Sequence, residues 1–363
     1  MNDFVRFPRL HYRGCKEYVP DLEQDVREMF NPKKNAGLEI SDIQAFVAYR
    51  NDVPVGRVAA IINRRANEKW GTRNVRFGLL EFVDDNEVSE ALLAAVAAWG
   101  REHGMTHIQG PMGITDFDKE GMLVEDFDLM GSMAAIYNYD YYPRHMERLG
   151  FEKEVDWLHI RIQVPQEVPA RYARVAQYAR EQIGLRVRKL TRKEVMGSYG
   201  QEVFRLLNTA YSPIFGFAEL TEQQAQQFIT KYLSIVDLQL MPVVENDKGE
   251  LVGVAVTTVS LAEALQKAGG RMLPTGWMHL LNGLKWHKAD WAEMLLVAVR
   301  PDYQGLGVNA LFFDDLIPIY NNMGIRWAET GPQLEDNVRE LSQWKPLNPE
   351  FVKRRRCYKK EIC

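Results

Sequence analysis

The stretch VAVRPDYQGLGVNALFFDDL, residues 297–316, decides how this chain folds. An apolar run ends at Arg300-Pro301, Gly305 and Gly307 follow with one residue between them, and an amphipathic pattern starts directly afterwards. Val308, Leu311, Phe312, Leu316 and Ile319 recur at helical spacing, which predicts a strand, a glycine turn and a helix in that order. Pro318 falls late in the helix and is expected to bend or shorten its last turn. Exposed N–H groups at a helix start, reinforced by the helix dipole, attract anions. Glycine, lacking Cβ, lets the backbone approach a phosphate closely. The turn is either a plain strand-to-helix connection or a cradle for a phosphate.

Working outward, the same plan occurs twice. AFVAYRNDVPVGRVAAIIN (45–63) reads as two strands around a turn at Asn51-Asp52, and MPVVENDKGELVGVAVTTVS (241–260) as two strands around Asn246-Asp247-Lys248-Gly249. Both second strands carry a Val-Gly pair, Val55-Gly56 and Val252-Gly253. Each hairpin precedes a further strand and a long helix, RFGLLEFVDD and EVSEALLAAVAAWGREHG in the first copy, AEMLLVAV and GVNALFFDDLIPIYNNMG in the second. A short strand then ends at Gly110-Pro111 or Gly331-Pro332. This is an internal duplication with a boundary near IQVPQEVPARYA (162–173). Leu80 to Gly110 is 30 residues and Leu296 to Gly331 is 35, so the second copy has five more, which RPDYQGLG accommodates. The first copy has VDDNEVSE there, acidic and free of glycine, a turn that would repel a phosphate.

Two classes of phosphate site compete. Gly305-x-Gly307-x-x-Ala310 matches the dinucleotide fingerprint, and Glu329 stands roughly where a ribose-binding acid is expected. Against it, Arg300 to Gln304 separate the strand from the first glycine, only 53 residues follow Ala310, and the preceding hairpin makes the sheet antiparallel. VAVRPDYQGLGVNALF instead resembles the acyl-CoA-binding signature of the Gcn5-related N-acetyltransferases (GNAT): a strand ending V-x-P, then [RQ]-x-x-G-x-[GA], then a helix. Gln304 and Gly307 match, and Asn309 stands where Gly or Ala is usual. The resemblance implies an acyltransferase that moves an acetyl or other acyl group from acyl-CoA to an amine. It implies that Val297, Ala298 and Val299 line the pantetheine arm and that Gln304, Gly305, Leu306, Gly307 and Val308, with Asn309 beside them, face the pyrophosphate. YYPRHMERLGFEKE (141–154) is similar to the late helix and Leu-Gly-Phe exit of the same family. The implied fold is α+β, two tandem GNAT-like domains, each a mixed, largely antiparallel sheet flanked by helices. Residues 1–165 would form a copy without the signature, and residues 166–363 the acyl-CoA-binding domain with a helical insert near 261–290.

Acyl transfer to an amine needs a base for the amine and a proton for the leaving thiolate. Members of the family commonly place a glutamate on the strand before the loop. Glu293 is the only acid in WAEMLLVAV, and alternation puts it on one face with Leu295, Val297 and Val299. The plainer reading of Glu293 is a surface acid at a strand end. The family's acid is often a tyrosine seven residues after an asparagine that also contacts CoA. Asn337 supplies the asparagine, but Trp344 stands seven residues on, and Trp has no suitable proton. Tyr358, in the final strand, is the substitute, against the reading of an aromatic packed on the sheet. Without an acid the thiolate can leave as the anion, since thiol pKa values lie near ~8.5. Asn309 and Trp344 favour the alternative function, a non-catalytic CoA-binding sensor or scaffold that keeps the fold.

Composition bounds the rest. The chain has 363 residues, 46% hydrophobic and 26% charged, ordinary for a soluble globular protein of two domains. A net charge of -4 argues against bulk nucleic-acid binding. Cys15, Cys357 and Cys363 lack metal-ligand spacing and suit a reducing cytoplasm. No signal peptide or membrane span is read, so the expected setting is cytoplasmic and the expected acceptor a small-molecule or peptide amine. No metal is expected: DFDKEGMLVEDF (116–127) opens like a calcium loop but has Phe127 at position twelve. The insert LPTGWMHLLNGLKWHKAD (273–290) mixes Trp277, Leu280, Leu281, Leu284 and Trp286 with His279, Lys285, His287 and Lys288. A lid, a helix docking the two halves and an interfacial membrane helix all stay open for it. The basic run VKRRRCYKKE (352–361) reads as a solvated strand edge. The oligomeric state is not legible.

Overall fold

The computed structural model describes residues 1–232, 236–286 and 289–362. His287 and Lys288 of the insert lie outside the described residues. Two compact units form. One contains Met1–Leu158, Leu261–Trp286 and Val352–Cys363; the other contains His159–Ser260 and His287–Phe351. The division 1–165 and 166–363 follows chain order, whereas these units take segments from both halves of the sequence.

In the first unit the strands Ser41–Arg50, Val53–Asn63, Asn74–Phe82 and His107–Gly110 lie in chain order, and the C-terminal strand Glu350–Glu361 comes next, followed by the start of Glu152–Gln163. Asn74–Phe82 and His107–Gly110 run parallel, because the helix Asn86–Glu102 between them makes the crossover that parallel strands require. The hairpin turns tightly through Asn51 and Asp52, both at positive φ, with Arg50 opposite Val53, the geometry that suits the twist of the strands.

The second unit repeats the pattern. Its order is Arg186–Lys189, Pro242–Glu245, Leu251–Val259, Trp291–Val299 and Trp327–Thr330, followed by the end of Glu152–Gln163. Again one pair is parallel, Trp291–Val299 with Trp327–Thr330, and the helix Val308–Asn322 provides the crossover. That helix runs through Pro318 to Asn322. The last strand of the first half thus pairs with Trp327–Glu329 of the second unit, and the last strand of the chain pairs with His107–Gly110 of the first.

The two Val-Gly pairs do the same work. A Cβ on Gly56 would lie 2.7 Å from Leu92 Cδ1 and 3.0 Å from Val88 Cγ1, and one on Gly253 would lie 2.5 Å from Val308 Cγ1. Each glycine lets the crossover helix settle on its sheet, and each helix seals its own core. Val58, Phe77, Leu92 and Val96 are buried together in one, Ile162, Val252, Leu311 and Phe312 in the other.

The basic C-terminal strand departs from the solvated edge read in its sequence. Lys353 and Arg355 are buried at 3% and 1% exposure, and Arg355 donates to the Ile136 carbonyl. Arg356 makes a two-pronged pair with Asp156 at 2.8 and 3.0 Å, and Arg354 reaches the same carboxylate at 3.3 Å. The three guanidinium charges are tolerated because each finds an oxygen inside the first unit.

Candidate functional site

The glycine turn begins where the strand Trp291–Val299 ends. Arg300 donates its amide to the Val252 carbonyl at 2.8 Å, grips Asp302 through two nitrogens at 2.8 and 3.0 Å and lies over the Tyr303 ring at 4.5 Å. Asn246 of the neighbouring hairpin donates to the Tyr303 hydroxyl at 3.0 Å. The single turn Pro301–Tyr303 is therefore braced from both sides. Gly305 and Gly307 follow at φ +83° and +90°, a left-handed conformation that L side chains rarely adopt.

Helix Val308–Asn322 starts at Gly307 with no side-chain cap. The Gln304 and Leu306 amides are spent inside the turn, on the carbonyls of Pro301 and Tyr303. The Gly305, Gly307, Val308 and Asn309 amides have no acceptor among the described residues. Four such donors at the positive end of a fifteen-residue helix can offer a cradle to an anion. Asn309 donates to Gln343 Oε1, and its own buried Oδ1 has no hydrogen-bond partner among the described residues. The first copy has no such cradle: the Asp85 carboxylate accepts the Glu87 amide at 2.9 Å, and Arg50 engages both acids.

The strand leading to the cradle has an open edge. Trp291 to Met294 pair in parallel with Trp327 to Thr330, and the pairing stops there. Beyond it, among the described residues, Leu296 to Val299 pair with the strand Leu251–Val259 alone. Ladder alternation counted back from Arg300 turns the backbone groups of Ala298 toward that partner and those of Val297 and Val299 away from it. Tyr211 caps the Val297 carbonyl at 3.0 Å, and Gln304 Nε2 lies 3.4 Å from the Val299 carbonyl. Val297 and Val299 can thus offer amides to an extended, amide-bearing ligand, with Ala298 holding the strand in its sheet.

A shift in strand register between Met294 and Leu296 changes the position of Glu293. This bulge breaks the alternation expected from sequence, so Met294, Val297 and Val299 pack toward the helical core, while Glu293 lies on the opposite face with its register partner Thr258. Glu293 is not a surface acid; it is 4% exposed and accepts the Ser260 hydroxyl at 2.6 Å. Glu329 sits at the same register on the parallel neighbour, and Arg161 opposite Glu329 on the next strand. Thr258, Glu293, Glu329 and Arg161 therefore form one row across four strands. Arg161 Nη2 lies 3.3 Å from Glu329, His159 Nδ1 3.4 Å from its other oxygen, and the Arg161 guanidinium covers the Trp291 ring at 4.7 Å. Two adjacent carboxylates beside an imidazole and a guanidinium can take up and release a proton.

Tyr358 is not part of this row. It belongs to the first unit, opposite Gly110 in its ladder, buried in the core with Phe77 and Leu93, and burial pushes its phenol up to about 12. Asn337 caps the short helix Val338–Ser342 by accepting the Glu340 amide at 3.2 Å. Trp344 packs edge-on against Phe313 in the second core. The sequence reading missed His159, Arg161, Ser260 and Tyr211, and took Glu329 only as a ribose ligand. A signal existed for two of them: in HIRIQV (159–164) polar and apolar residues alternate strictly, the mark of a strand with one polar face. Nothing in the sequence said that this face would be buried beside Glu329.

No family model matches the chain. It is 25% identical over 364 residues to protein YghO of Escherichia coli (strain K12), covering 99% of this chain and 92% of the relative. It is 29% identical over 305 residues to the bacterial ceramide synthase of Caulobacter vibrioides (strain NA1000 / CB15N), covering 83% of this chain and 78% of that one. Among solved structures, a tandem GNAT protein from the clavulanic acid biosynthesis pathway superimposes with a TM-score of 0.57 at 15% identity, over 100% of this chain and 94% of the other. With one parallel pair, one crossover helix and one Val-Gly contact in each half, the chain has the fold of the Gcn5-related N-acetyltransferases in tandem.

Proposed function

We propose that the chain is an acyltransferase that takes an acyl group from acyl-CoA and passes it to a primary amine. The observation that carries this is the uncapped helix start behind two left-handed glycines in the second unit, set against the carboxylate-capped start in the first. The diphosphate of the carrier is assigned to the Gly305, Gly307, Val308 and Asn309 amides, and its pantetheine amides to Val297 and Val299. Six residues of strand separate Val299 from Glu293, about 20 Å at ~3.3 Å per residue, so an arm laid along this edge carries its thioester away from the phosphates toward the polar row. As the amine nitrogen bonds the carbonyl carbon and the C–S bond breaks, Glu293 or the Glu329–His159 pair takes the ammonium proton, and the thiolate leaves as the anion or collects a proton from solvent.

The relative described as a ceramide synthase supports an acceptor class. A ceramide is a long-chain amino alcohol acylated on nitrogen, so such amino alcohols are the first acceptors to try. Calorimetry with acetyl-CoA and a long-chain acyl-CoA, followed by thiol release against a panel of amines, tests the reading. Saturable binding with amine-dependent thiol release is the expected result. Binding without release against any amine leaves the CoA sensor, and no binding removes both.

A further inference from the structure

The helix Gly276–Lys285 is built inside out. Its sequence GWMHLLNGLK is largely apolar, yet Gly276 is its one buried residue. The face it turns to its neighbour, the helix Ala262–Ala268, uses small groups: a Cβ on Gly283 would meet Ala264 Cβ at 3.1 Å. Leu280, Leu281 and Leu284 are half-buried, and the largest apolar side chains stand in solvent. Trp277 is 46% exposed, Met278 51% and Trp286 66%, and on the approach to the helix Met272 is 39% and Leu273 75% exposed. Five large apolar side chains within fifteen residues make a patch that a folded core does not explain. The base beneath it is fixed: Gln266 donates to the Lys16 and Tyr18 carbonyls at 2.7 and 2.9 Å, and the Glu23 amide donates to the Gly270 carbonyl at 2.7 Å.

Charge identifies the occupant. Arg271 and Lys285 flank the apolar side chains and are exposed, and the one acid of the two helices, Glu263, is engaged by Lys267 at 3.3 Å. The patch is thus locally basic on a chain whose net charge is -4. A second copy docking through the same face would bring two basic patches together, since a twofold interface pairs the same surface on both copies. An anionic lipid surface has no such conflict, and Trp, Met and Leu flanked by Arg and Lys are the side chains that settle at the boundary of headgroups and acyl chains. No helix among the described residues is long and apolar enough to cross a membrane. We propose that residues 271–286 dock the protein on the surface of an anionic bilayer.

The test is co-sedimentation of the full chain with vesicles of phosphatidylcholine alone and of phosphatidylcholine with phosphatidylglycerol, beside sedimentation velocity without lipid. The expected result is binding to the anionic vesicles only. Replacing Leu273, Trp277, Met278 and Trp286 together by Ser should weaken it at least tenfold, and Arg271→Glu with Lys285→Glu should weaken it and flatten its salt dependence. Because all six side chains are exposed, the variants should keep the circular dichroism and melting temperature of the parent. A parent that ignores both vesicles overturns the proposal, as does an unaltered partition of the folded Ser variant. A parent dimer that the Ser variant abolishes overturns it in favour of a second copy.

Discussion

Glu293 and Glu329 occupy the same register on two parallel strands, both nearly free of solvent. Neighbouring parallel strands lie about 4.8 Å apart, so two ionised carboxylates there would repel strongly without compensation. Arg161 and His159 approach Glu329, whereas a neutral hydroxyl, Ser260, approaches Glu293. The base we propose is Glu293, whose carboxylate the Ser260 hydroxyl positions beside Glu329. Glu293→Gln should therefore lower amine-dependent thiol release by about 10²- to 10⁴-fold, the usual worth of a positioned base, with acyl-CoA binding unchanged. Glu329→Gln should also cost about 3 kcal/mol of stability by stranding Arg161. Steady-state kinetics with urea unfolding separate the two, and equal kinetic losses without the difference in stability would refute the assignment.

Gly307 is held at φ +90°, and a Cβ there would meet Ala179 Cβ and Val175 Cγ1 at 3.1 Å. Gly307→Ala should cost about 1–2 kcal/mol from backbone strain and weaken acyl-CoA binding at least tenfold. Gly324, at φ +75° with nothing within 4 Å of its Cβ position, is the control. Gly324→Ala should lose comparable stability and keep its affinity in the same titration.

The sequence revealed the glycine turn and the duplication because local rules produce them: positive φ favours glycine, and a two-residue turn such as Asn51-Asp52 leaves a short polar signature. The bulge at Leu295 was not legible, since no residue type marks it, and one extra residue moved Glu293 to the other face of the sheet. Arg355 and Lys353 misled for a related reason. Their burial depends on Ile136 and on strand pairing across more than two hundred residues, which no short window contains. His159 and Arg161 are seven and nine residues past Glu152 on a strand whose end serves the second unit, a placement that only pairing with Trp327–Glu329 reveals.

In the first unit the Glu81 carboxylate accepts the Tyr12 hydroxyl at 2.5 Å and the Tyr142 hydroxyl at 2.9 Å, with Arg57 at 3.9 Å. Burial raises Glu81 to about 7 from 4.5 although Arg57 and the two phenols oppose it. Burial, with the Arg57 charge, lowers the nearby His11 to about 4 from 6.5. For His11 the unfolded chain holds the proton between pH 4 and 6.5 and the folded chain does not, so stability rises with pH. For Glu81 the folded chain holds the proton between pH 4.5 and 7, so stability falls with pH. Each is worth roughly 3 kcal/mol across its window, and between pH 4.5 and 6.5 the two slopes oppose each other. Glu81→Gln should expose the His11 slope, so that the variant gains on the parent as pH rises from 4.5 to 7. Urea midpoints across that range measure it, and a constant difference would contradict the elevated carboxyl.

Gly56 and Gly253 give the cleanest separation of fold from function. Both are contact glycines beneath a crossover helix, and a methyl group on either should cost about 1–3 kcal/mol by overpacking. The clash at Gly56 is with Leu92 and Val88, above a helix start already capped by Asp85. The clash at Gly253 is with Val308 and Phe312, and Val308 is the first residue of the helix whose free amides form the cradle. Raising Val308 tilts those donors away from the anion they are assigned to hold. Gly253→Ala should therefore lose acyl-CoA affinity at least tenfold, and Gly56→Ala should lose stability alone. Calorimetry of both variants below their melting temperatures decides between the units: equal losses of affinity would mean that carrier binding is not specific to the second.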